Sequence, residues 1–153
     1  MRLRTLLPMA AAAAALTLSA CGEDVEAKND YITAVNRAQN QFQVRFERLE
    51  AKITAVSTPR QDDATLREFA TAVDDVIAQL KRINAPAEVT DLHGRFIGEV
   101  EEYGAVADRA RKDFQSDDPQ KVIAANRKFS TEVTKTAADI TTTINEINRK
   151  LQE

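Results

Sequence analysis

Apolar residues in this chain fall into four periodic runs, each closed by a turn signal. From about Asp30 to Val56, residues Ile32, Val35, Phe42, Phe46, Leu49, Ile53 and Val56 recur at helical steps and form one stripe. Thr58-Pro59-Arg60-Gln61 then reads as a fresh helix start. Thr58 can cap, Pro59 suits the first helical position, and Gln61 can complete a capping box. The second run reaches Ile83 through Leu66, Phe69, Ala70, Val73, Val76, Ile77 and Leu80. Asp62 and Asp63 near its start and Lys81 and Arg82 near its end match the helix dipole. Asn84-Ala85-Pro86 breaks it.

The third run, about Pro86 to Gln115, carries Val89, His93, Phe96, Val100, Tyr103, Ala107, Ala110 and Phe114. Asp118-Pro119 opens the fourth with a capping residue followed by proline. Its stripe runs from Val122 through Phe129, Val133, Ile140 and Ile147 to Leu151, with Asn126 as a polar interruption. Thr141-Thr142-Thr143 is poor helix material by propensity, but the amphipathic pattern overrides it. The spacing therefore predicts an all-α fold with helices over about 30–56, 59–83, 86–115 and 119–152. Short connections between helices of similar length favour an up-down-up-down antiparallel four-helix bundle.

The first twenty residues do not belong to that pattern. Arg2 and Arg4 precede a run of Leu, Pro, Met and Ala, and small residues follow before Cys21. A basic start, a short apolar stretch and a small-residue cut site describe a secretory signal. The apolar run is shorter than the roughly 20 residues a membrane span needs. Leu18-Ser19-Ala20-Cys21 resembles the lipobox of bacterial membrane lipoproteins. That resemblance implies cleavage before Cys21 and a diacylglyceryl group on its thiol. The expected organisation is a signal peptide over 1–20, a lipidated cysteine and short polar tether over 21–29, and the bundle over 30–153. The resemblance places the protein outside the cytoplasm, anchored to the cell membrane or an outer membrane. Gly22 follows the cysteine, not the Asp that resembles an inner-membrane retention signal, so the resemblance implies export outward where two membranes exist.

Composition narrows the partners. The chain has 21 basic and 24 acidic residues; without Arg2 and Arg4 the count is 19 against 24, a formal charge of −5. That balance argues against nucleic acid and leaves membrane attachment to the lipid. Cys21 is the only cysteine, so no disulfide can form within the chain.

Chemistry-bearing residues are few. Beyond Cys21 the chain has one histidine and no methionine, too few for the axial ligands of a haem bundle. Thr90 stands three places before His93, so the Glu-x-x-His motif of di-iron bundles is missing. Asp117-Asp118 reads as a helix start, not a calcium loop. Glu101-Glu102 and Asp74-Asp75 lie about 100° apart on their helices and do not converge. No cofactor, metal or catalytic constellation is expected.

Two features stand out. His93 lies on the apolar stripe of the third helix and should point inward. Heights counted from the expected helix starts put Gln39 in its layer, which makes Gln39 its favoured hydrogen-bond partner; contact with a ligand and simple exposure are the other readings. Three of the four glycines, Gly94, Gly98 and Gly104, lie in the same helix. Gly94 and Gly98 fall opposite the stripe and would form either a notch for a partner or tolerated gaps on a solvated surface. Ile83-Asn84-Ala85-Pro86-Ala87-Glu88 through Leu92-His93 resembles the turn-and-helix of small helical-bundle envelope lipoproteins of undefined activity. The expected function is non-enzymatic: a helical surface that binds another envelope component. The alternative is a carrier or sensor of a small apolar ligand held between helices.

Overall fold

The computed structural model describes residues 23–52, 59–116 and 118–153. Four α-helices, α1 (Glu23–Glu50), α2 (Pro59–Leu80), α3 (Thr90–Asp113) and α4 (Pro119–Gln152), account for most of them. A single 3-10 turn, Ala87–Val89, leads into α3, and the described residues include no strand.

Both proline-led starts lie where expected. α2 opens at Pro59, and Asp118 caps α4 by accepting a hydrogen bond from the Gln120 N–H at 2.9 Å. Other boundaries move. α1 is already helical at Glu23, so residues 23–29 are its first two turns and not a tether. It ends at Glu50, short of Val56; Ile53, Val56 and Thr58 lie outside the described residues. α2 stops at Leu80, which leaves Lys81 and Arg82 in the turn that follows. That turn is closed by the Arg82 and Ile83 N–H groups bonding the Gln79 and Leu80 carbonyls. Pro86 then starts the 3-10 turn, its carbonyl accepting from the Val89 N–H.

The threonines of α4 stay helical by turning their hydroxyls back on the backbone. Thr141 and Thr142 donate to the Ala137 and Ala138 carbonyls at 2.8 and 2.9 Å. This satisfies the hydroxyl without leaving the helix. Thr143, by contrast, is buried, and its hydroxyl donates to Glu99 on α3 at 2.8 Å.

Successive helices meet along pairs whose numbers run in opposite directions. Arg45 meets Asp75 and Lys52 meets Glu68 between α1 and α2. Lys81, just past the end of α2, meets Glu101 of α3, while within the two helices the Phe69 ring of α2 lies tilted against Tyr103 of α3 and Asp63 meets Arg111. Arg95 meets Glu146, Arg109 meets Glu132, and Phe114 meets Phe129 between α3 and α4. The core between them is dominated by Val73, Leu80, Val89, Phe96, Val106 and Leu151, all nearly inaccessible to solvent. Phe42, Phe46, Phe69 and Tyr103 form its aromatic midsection, with ring centroids 5.8–6.2 Å apart.

Candidate functional site

His93 is placed by the third residue of α3 after Thr90 and is buried, as its position on the stripe predicts. Both ring nitrogens are occupied. Nε2 lies 3.0 Å from the Leu80 carbonyl oxygen at the end of α2, and Nδ1 lies 3.1 Å from the Tyr31 hydroxyl on α1. A carbonyl can only accept, so Nε2 donates to Leu80; in that tautomer of the ring Nδ1 accepts from the Tyr31 O–H. The imidazole thus pins three helices together. The Leu80 carbonyl also accepts from the Ile83 N–H, which ties the pin to the turn that ends α2. The Tyr31 and His93 rings meet edge-on, 5.4 Å apart. Burial pushes the Tyr31 phenol up from 10.0 to about 12, which keeps it a donor over the whole range in which proteins fold.

Gln39 is not a partner of His93. The helix start explains the correction. The expected height of Gln39 takes Asp30 as the start of α1, but α1 begins at Glu23, seven residues earlier. Moving the origin by two turns brings Tyr31, eight positions before Gln39, into the layer of His93. Tyr31 is also legible in hindsight, since it stands seven residues before buried Ala38 and eleven before Phe42. Gln39 is half-buried and lines a cavity of about 30 Å³ where α1 faces α4, with Asn36, Asn148 and Ile144 among its neighbours. A space of that size with amide side chains around it suits one or two waters.

Gly94 and Gly98 are exposed, and a Cβ added at either would meet open space. Gly104 differs. Its Cβ would lie 2.9 Å from Cγ1 of Val73, a buried side chain on α2. There the missing side chain lets two helices approach closely.

A polar cluster between α3 and α4 had no signal in the sequence. Thr143 accepts from Arg95 Nε at 3.0 Å and donates to Glu99, while Arg95 also reaches Glu146. The second oxygen of Glu99 is buried without a partner among the described residues. Elsewhere, burial works to raise the Asp63 carboxyl, but hydrogen bonds from Arg67, Arg111 and Gln115 outweigh it and hold Asp63 below the usual range. Glu88 is held low by its own backbone N–H and by Lys28, which pairs with it at 3.0 Å.

Cys21 lies outside the described residues. Among the described residues, no group of three His, Cys, Asp or Glu side chains could hold a metal ion. No described helix is long and apolar enough to cross a membrane. Compared with protein-family models, curated proteins and solved structures, the chain matches none.

Proposed function

We propose that the protein is a lipid-anchored, extracytoplasmic envelope protein that binds another envelope component through its helical surface, without catalysis, cofactor or nucleic acid. Leu18-Ser19-Ala20-Cys21, with its resemblance to a lipobox, carries the anchoring part. The body is read as an up-down-up-down antiparallel four-helix bundle, a reading supported by the opposed order of contact pairs between successive helices. In that arrangement the anchor, the turn between α2 and α3 and the C-terminus share one end.

The packing of the histidine layer supports a binding surface over an internal ligand site. His93, Tyr31 and the Leu80 carbonyl satisfy one another, and the neighbouring cavity is water-sized at about 30 Å³. Pockets for small ligands are usually several hundred Å³. The reading therefore assigns recognition to the outer helix faces. Two experiments test the two parts. Wild-type protein should partition into detergent and carry diacylglycerol by mass spectrometry, and Cys21→Ser should not; an unmodified wild type refutes the anchor. Photo-crosslinkers placed around the outer helix faces in intact cells should trap a protein partner; a surface that yields no adduct at any position refutes the binding role.

A further inference from the structure

The outward face of α1 carries Arg37, Gln41, Val44 and Arg48 at steps of four, three and four residues. At about 100° per residue these lie within about 60° of one another, a single stripe. All four are exposed. Val44, at 47 % exposure, is the large hydrophobic residue that the described surface leaves uncovered. Beside it α1 and α2 form an open groove of about 430 Å³ with Phe42, Ala72 and Val76 on its walls.

Charge along the groove is unbalanced. The acidic residue on its lining, Asp75, is already engaged by Arg45. Glu47, on the opposite edge of the stripe, accepts from Gln43 at 3.1 Å. Arg37 and Arg48 make no ion pair or hydrogen bond with any described residue. They stand about 16 Å apart at about 1.5 Å per residue, with Val44 between them. So a chain with an excess of acidic residues presents here two arginines with no partner among the described residues, on either side of Val44, the large apolar side chain that is exposed among those residues.

We propose that this stripe and groove dock an acidic amphipathic helix of a partner protein. The inference rests on the reading of the outer helix surface as a binding surface and names the face and the partner's chemistry. A helix with carboxylates at i and i+11 and an apolar residue at i+7 reproduces the spacing of Arg37, Arg48 and Val44. An apolar face laid in a groove with paired charges at its ends is a common helix-recognition mode. The spacing of the two arginines about Val44 sets the register of such a helix on this face. A lipid surface is the poorer fit, because anionic membranes are read by clusters of about four to eight basic residues, not by two held three turns apart.

The test uses the full chain in detergent and three probes. One is a helical peptide with Glu, Leu and Glu at i, i+7 and i+11; the second has Lys in place of both Glu; the third is phosphatidylglycerol vesicles. The Glu peptide should bind, and raising the salt should weaken it. Arg37→Glu with Arg48→Glu should lower that affinity about tenfold or more and improve binding of the Lys peptide. Val44→Asp should weaken the Glu peptide as well. Circular dichroism checks folding, and Arg37→Gln with Arg48→Gln replaces the reversed pair if helicity falls. Equal binding of both peptides, indifference to the arginines, or binding of the vesicles alone overturns the proposal. A photo-crosslinker at Gln41 and another at Gly98, tested in intact cells, separate this proposal from the reading beneath it. Adducts at Gly98 but not Gln41 overturn the groove and keep surface binding; adducts at neither overturn the groove as well.

Discussion

On one side of α3, Gly104 holds its backbone against Val73 of α2, where an added Cβ would come within 2.9 Å of a branched, buried side chain. On the other side of the same helix, Gly94 and Gly98 face nothing within 4 Å. His93, Phe96, Val100 and Tyr103 belong to the first side and are buried. The same residue type therefore serves close packing at one position and borders open space at two others. Helix propensity is the same at all three sites; what differs is whether another helix occupies the space. The inner face is over-determined by its neighbours, and the outer face is free to change.

Breaking the inner face at its hydrogen-bonded pin should have the largest effect. His93→Leu removes the acceptor of the buried Tyr31 hydroxyl and should destabilise the fold by about 2 kcal/mol in chemical denaturation. Adding Tyr31→Phe to it should recover part of that loss, because both polar partners are then gone. A double variant no better than His93→Leu alone would mean that the pair is not coupled.

Gly104→Ala comes next. The helix gains up to about 1 kcal/mol from alanine, but overpacking against stiff Val73 costs about 1–3 kcal/mol, so a net loss of about 1 kcal/mol is expected. In the presence of Val73→Ala the same substitution should become neutral or favourable. A Gly104→Ala protein melting above wild type would erase the distinction between the two faces.

Tyr31→Phe alone should cost about 1 kcal/mol near neutral pH, the loss of one hydrogen bond. It also has a pH signature. The Tyr31 phenol rises from 10.0 to about 12 on folding, so the unfolded chain loses its proton first. Its stabilising contribution is fully present below about pH 10 and declines as pH rises toward 12. Wild type should therefore lose more stability than Tyr31→Phe over that interval, measured as the difference between the two denaturation midpoints. Parallel pH profiles would contradict a buried phenol.

The smallest effects belong to the outer face. Gly94→Ala and Gly98→Ala should each stabilise the protein, by up to about 1 kcal/mol, since nothing obstructs the new methyl group. A rise in Tm for both, beside a fall for Gly104→Ala, would sharpen the contrast to a test within one helix. If either alanine weakens capture of a partner without lowering Tm, the notch has a binding role.

The amphipathic spacing alone determined that the described chain is helical and which face of α3 turns inward, because period and burial are both local consequences of side-chain placement along a helix. The starts at Pro59 and Asp118-Pro119 were equally local: a ring that lacks an N–H and a carboxylate that accepts one leave little choice. The start of α1 was not legible. Glu23 to Asn29 has no strong apolar stripe, and a helix there is supported by what its later turns pack against. That one displacement carried Gln39 out of the layer of His93 and Tyr31 into it. The difference between Gly104 and its two neighbours was beyond the sequence for the same reason. Contacts between residues 31 and 93, 80 and 93, or 73 and 104 depend on the register between separate helices. Register is set by how whole faces interlock, a property of the folded assembly that no single segment encodes.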